Sequence, residues 1–156
     1  MFEHVLVAID GSAQGDHALT MAGEIAHRFD SAEITIVTVI PLRVSPYPVP
    51  YAMPPISKMD VDRYHSIVNG RAERLRASGL RNVTTRVLEG YVIDAILDYA
   101  NHHHIDLIVI GARGLSRAER LFIGSTSEGV LHHAKVPVLV VHHPTPQAED
   151  RVVVAA

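Results

Sequence analysis

The stretch IDLIVIGARGLSRAERLFIGSTSEGVLHHAKVPVLVVH, Ile105 to His142, decides the fold. It begins and ends on short, near-continuous apolar runs, IDLIVIGA and VPVLVVH, which read as buried strands. Between them lie Gly111, Gly114 and Gly124, with Arg113, Arg117 and Arg120 in the same loop, and a short helix predicted from about Thr126 to Ala134. Strand, loop, helix and strand in that order form a crossover unit, whose two strands pair in parallel.

The same alternation runs back to the N-terminus. HVLVAI (His4 to Ile9) is a β-branched run ended by DGS, a strand and its turn. Ala18, Ala22, Ile25, Ala26 and Phe29 follow at helical spacing, and AEITIVTVI (Ala32 to Ile40) is the clearest strand of the chain. From Tyr64, the positions Ile67, Val68, Ala72 and Leu75 mark a second helix face, with Ser57 and Asp60 spaced as a capping box before it. NVTTRVLEG (Asn82 to Gly90) is a weaker strand, and Ile93, Ile96, Leu97 and Ala100 form a third helical stripe.

The order β-α-β-α-β-α-β-α-β predicts an α/β fold: an open five-stranded parallel sheet with helices on both faces and right-handed crossovers. In such sheets ligands bind beyond the carboxyl ends of the strands, where the strand order reverses. That rule gathers Asp10 to Ser12, Val39 to Pro41, and the loop from Gly111 onward at one place. Residues 1–143 are expected to form one domain, followed by a tail over 144–156. The segment Pro41 to Pro55 holds six of the nine prolines and is expected to be a long connection, a binding loop or lid.

Composition sets limits on function. At 156 residues, 47% apolar and 20% charged, the chain fits an ordinary globular domain. A net charge of -3 argues against a nucleic-acid partner, and the absence of cysteine excludes disulfides, thiolate zinc sites and a thiol nucleophile. No signal peptide or membrane-length apolar run is apparent, so the expectation is a cytoplasmic protein without a membrane partner. Eleven histidines are unusual, and seven fall in the clusters His102 to His104, His132-His133 and His142-His143. Neighbouring positions on a helix or strand face different ways, so these read as element ends rather than metal ligands.

The glycine loop carries the chemistry. Glycine lets backbone N–H groups approach a phosphate closely, and Ser125 and Thr126 stand where a helix start offers free N–H groups and a favourable dipole. Arg113, Arg117 and Arg120 add positive charge. A plainer reading stands beside it: Ser125 and Glu128 have the spacing of a capping box, and an aspartate before Gly-Ser, as at Asp10, makes an Asx-turn.

The spacing Gly111-x2-Gly114-x9-Gly124-Ser125 resembles the nucleotide-binding motif of ATP-binding universal stress proteins. The resemblance covers nearly the whole chain, through HVLVAIDGS, LEG before a helix, DLIVIGARG and LFIGSTSEGVLHHAKVPVLVV. It implies a Rossmann-like fold of the adenine nucleotide alpha hydrolase type, with ATP as ligand. By position, it implies that Asp10 contacts the ribose or adenine side, Val39 lines the adenine pocket, and Gly111, Gly114, Gly124 and Ser125 hold ribose and phosphates. Thr126 stands where many relatives carry an apolar residue, so its phosphate role rests on position alone, and that of Arg113 on charge. The resemblance also implies a homodimer through the last strand, Val136 to Val141.

The expected function is an ATP-dependent regulatory module of a stress response, acting through protein partners. No catalytic residue is assigned, and no metal site from the protein alone, although Asp10 can reach Mg²⁺ carried by ATP. No Walker-type GxxxxGK[ST] or catalytic triad is present, and Glu128 and His17 are candidates for orienting water only by proximity. A slow ATPase and a nucleotide-free interaction protein remain the alternatives.

Overall fold

The computed structural model describes residues 2–29, 32–42, 56–112 and 124–142. They form β1 (His4–Ala8), α1 (Ala13–Arg28), β2 (Glu33–Pro41), α2 (Lys58–Ala77), β3 (Val83–Gly90), α3 (Val92–His102), β4 (Leu107–Gly111), α4 (Ser125–His133) and β5 (Val138–Val141). All strands pair in parallel, in the order β3-β2-β1-β4-β5. The strands are near-continuously apolar because alternate residues feed two cores. Val5, Val7, Ile34, Ile36 and Val109 pack with Ala18, Leu19, Ala22, Val68 and Ala72 from α1 and α2. Leu6, Ala8, Val37, Val39, Ile108 and Ile110 face the other way, onto Ile96 and Ala100 of α3 and Val130 of α4.

β3 is the weak strand of the sequence because it is an edge. Its burial is only partial, and Arg86 and Glu89 are exposed. A stripe that meets helix on one face and solvent on its flank needs fewer apolar residues. α2 begins well before Tyr64, since Ser57 caps it: Ser57 Oγ accepts from Asp60 N–H at 3.1 Å and donates to Asp60 Oδ2 at 2.9 Å. The histidine clusters do lie at element ends. His102, His103 and His133 turn Nδ1 back to the carbonyls four residues earlier, at 2.7, 2.9 and 2.8 Å. Among the described residues no group of three or more His, Asp or Glu is placed to hold a metal ion. His143 lies outside them.

The amino end of the sheet is tightly pinned. Asp106 Oδ2 accepts from the N–H groups of Glu3 and His4 at 2.8 and 3.2 Å, and His4 pairs with Glu33 at 2.6 Å. Between helices, Arg71 grips Asp16 through Nε at 2.9 Å and Nη2 at 3.3 Å, tying α2 to α1. Among the described residues no helix is long and apolar enough to cross a membrane.

Gly111 marks a close approach of backbone to backbone at the carboxyl end. A Cβ there would sit 2.8 Å from both the carbonyl carbon and oxygen of Gln14 in the first turn of α1. Backbone cannot yield as a side-chain tip does, so Gly111→Ala is expected to cost about 1–3 kcal/mol as α1 is pushed off β4. At Gly23 the nearest obstacle is the end of Leu75 at 3.0 Å, which can move, and alanine also favours the helix. Gly23→Ala should therefore stay within about 1 kcal/mol of the parent. Urea unfolding of the two variants checks this contrast, and equal effects would refute it.

Candidate functional site

The strand order reverses between β1 and β4. β1 runs into α1 on one face, whereas β4 leads to α4 on the other, so the chain parts at the carboxyl ends of these two strands. A cavity of about 340 Å³ lies there, within the size range of small-ligand sites. The predicted residues Asp10, Val39, Gly111, Gly124, Ser125 and Thr126 all line it. Arg113 and Gly114, like Arg117 and Arg120, lie outside the described residues, as do most of the proline-rich connection (43–55) and the tail.

Asp10 carries both readings at once. Its Oδ1 accepts from Ser12 N–H at 3.0 Å, closing the Asx-turn, while Gly11 behind it takes φ +83°. Oδ2 makes no hydrogen bond to a described residue, and the exposed carboxylate stands at the cavity. Ser12 then caps α1, its Oγ accepting from Gly15 N–H at 3.2 Å.

α4 starts differently. Its N-cap is Gly124, not Ser125, so the Ser125–Glu128 capping box does not form. Glu128 meets the cap through backbone alone, its N–H donating to Gly124 O at 2.9 Å. With no side-chain cap, the N–H groups of Ser125, Thr126 and Ser127 have no partner within the helix, and all three residues line the cavity. Free N–H groups at a helix start, together with the helix dipole, favour negative charge beside them.

Ser127 escaped the sequence reading. It is 2% exposed, and its Oγ lies 2.9 Å from Ala112 O and 2.8 Å from Gly124 O. Together with the bond from Gly124 N–H to Ala112 O, it pins both ends of the glycine loop to each other. The only sequence signal was a third hydroxyl in Ser125-Thr126-Ser127. Gly111 lines the cavity but does not use positive φ; its missing side chain makes room for Gln14, as described above.

At the β2 side the ladder explains Val39. Ile9 N–H donates to Val37 O at 2.9 Å, so odd residues of β2 turn their peptide groups toward β1. Even residues face β3, as Ile34 N–H to Asn82 O and Leu42 N–H to Gly90 O show. Val39 is the next odd residue, and β1 has already ended. Its N–H and C=O therefore face the cleft as an adjacent donor and acceptor. Around it, Val37, Ile96 and Ile110 supply an aliphatic wall, and Tyr64 of α2 also lines the space. Neither His17 nor Glu128 lines the cavity, and among the described lining residues Asp10 alone carries a charge.

A family model described as the universal stress protein family matches residues 1–142. A Staphylococcus haemolyticus protein bearing the universal stress protein name is 35% identical over 143 residues, covering 90% of this chain and 84% of its own length. The solved structure of the universal stress protein UspA from Lactobacillus plantarum has a TM-score of 0.73 at 27% identity, covering 90% of this chain and 97% of that one. A universal stress protein solved in complex with cAMP has a TM-score of 0.68 at 26% identity, with the same coverage.

One buried group at the cavity is left unsatisfied. Thr38 lines it at 2% exposure, and its hydroxyl makes no hydrogen bond to any described residue. Such a group costs roughly 1–3 kcal/mol. Thr38→Val keeps the branched shape, so the ligand-free variant should be more stable by about 1 kcal/mol, or about 2–4 °C in Tm. A fall of that size in a thermal melt would contradict the assignment.

Proposed function

Because the chain belongs to the universal stress protein family, we propose that it is a regulatory module that binds an adenine nucleotide at the β1/β4 switch point. The observation that carries this reading is the uncapped start of α4, opening onto a cavity whose other end presents the Val39 peptide pair. Phosphates belong at the N–H groups of Ser125 and Thr126, with the side chain of Thr126 and the glycines 111, 114 and 124 alongside. The base belongs against Val39. A main-chain donor beside an acceptor matches adenine, which offers ring nitrogen N1 next to the 6-amino group. Guanine presents the opposite pattern there.

Asp10 Oδ2 is placed for the ribose or for Mg²⁺ bridging the phosphates; magnesium commonly takes one protein carboxylate and completes its shell with phosphate and water. Arg113 supplies charge from the loop. We read the protein as a switch with at most slow hydrolysis, working in the cytoplasm through regulatory partners. Phosphoryl transfer to water needs a group that orients the nucleophile. Asp10, the one charged group among the described cavity residues, holds its turn through Oδ1 and offers only Oδ2. The cAMP complex of the related protein supports a nucleotide as the ligand class, and AMP and cAMP therefore belong in the test.

Calorimetry with ATP, AMP, cAMP and GTP decides the reading. We expect adenine nucleotides to bind and GTP to bind at least about tenfold more weakly, the effect of one mismatched hydrogen-bonding edge. Gly124→Val should abolish binding while leaving the fold intact, since the cap backbone at φ -64° suits any residue. Full binding by that variant would refute the phosphate assignment.

The same reading makes a homodimer through the segment Val136 to Val141, which contains β5. Ile108 N–H donates to Pro137 O and Ala112 N–H to Val141 O, so odd residues of β5 serve β4. Val138 and Val140 thus turn their peptide groups outward along an open edge, a template for a second copy about a two-fold axis. Val140→Pro removes one outward N–H and spares the bonds to β4. Sedimentation should show a folded monomer; an unchanged dimer would place the interface elsewhere.

A further inference from the structure

Tyr64 sits in an unusual position for a half-buried aromatic side chain. It opens the apolar stripe of α2, on the same face as Ile67, Val68, Ala72 and Leu75. The later members are well placed. Val68, Ala72 and Leu75 are buried in the core shared with α1. Ile67 covers the turn after β1, since a Cβ on Gly11 would lie 3.3 Å from Ile67 Cδ1.

Tyr64 stands about 4.5 Å further toward the amino end of the helix, at 1.5 Å per residue. That carries it past the carboxyl ends of the strands. Among the described residues it packs into neither apolar core and stacks on no other aromatic ring. It lines the cavity instead, and it is the one aromatic residue among the described lining residues. The remaining walls are aliphatic: Val37, Val39, Ile96 and Ile110.

We propose that Tyr64 is the platform on which the nucleotide base stacks. This rests on the nucleotide reading above and adds to it a side chain outside the glycine motif. The division of labour is physical. Every base has a π-face, so stacking provides affinity with little discrimination, whereas the Val39 peptide pair reads the base edge. A ring from α2 on one side and aliphatic side chains on the other enclose a flat group and exclude water from the hydrogen bonds at its edge.

Three proteins test this: the full-length parent, Tyr64→Phe and Tyr64→Leu, each titrated calorimetrically with ATP. Tyr64→Leu should bind about 5- to 150-fold more weakly, the range for loss of one base–aromatic stack. Tyr64→Phe should bind within about twofold of the parent, because the ring is kept. Both should melt within about 2 °C of the parent, since Tyr64 belongs to neither core. The chain has five tyrosines and no tryptophan, so its emission reports tyrosine alone. ATP should lower inner-filter-corrected emission of the parent, and Tyr64→Phe should lose most of that change while still binding. Equal ATP affinity in the parent and Tyr64→Leu would overturn this assignment alone. Failure of the parent to bind ATP, AMP or cAMP would overturn the nucleotide reading, and this one with it.

Discussion

The parting of β1 and β4 is the constraint from which the rest follows. Right-handed crossovers send α1 to one face and α4 to the other. Two strands hydrogen-bonded side by side therefore release their chains in opposite directions, and a cleft opens that no side chain is obliged to fill. The peptide groups of Val39 and the first turn of α4 face that opening because the strands and helix that bear them run past it. The fold makes main-chain donors and acceptors available before any particular side chain is considered.

The two helices at the cleft are finished in contrasting ways. α1 is capped by Ser12, whose hydroxyl satisfies the amide of Gly15. α4 begins at a glycine with no side-chain cap. A capping side chain is worth typically about 1 kcal/mol, so the bare start of α4 is a local cost. It leaves three amides pointing at the cavity. Ser127 and Gly124 both bind the carbonyl of Ala112 at the end of β4, so the start of α4 is tied to the sheet.

Stability is distributed unevenly along the strands. At their amino ends, Asp106 secures β1, and His4 pairs with Glu33 of β2. At their carboxyl ends, among the described residues, the hydroxyl of Thr38 lacks a partner, α4 lacks a side-chain cap and Tyr64 packs into neither core. Each departure is modest, yet all fall around one cavity.

The sequence by itself determined the strands, the helices, their alternation and hence the parallel sheet, because hydrophobic period is a local property that survives any arrangement of neighbours. It also determined which three segments would meet, since alternation implies a switch point at the carboxyl ends of the strands. β3 was faint because an edge strand has less to bury. Tertiary structure decided the rest. Gly111 lines the cavity, and its lack of a side chain is also required by Gln14, far away in the chain, which only the packing shows. Ser125 and Glu128 have capping-box spacing, yet the cap moved to Gly124 because Ser127 and the Gly124 amide are held by Ala112. Tyr64 reads as one more residue of a helix stripe, and its separation from the core depends on where β1 and β2 end relative to α2. Periodicity states which face of an element is apolar; only packing in three dimensions states what, if anything, that face meets.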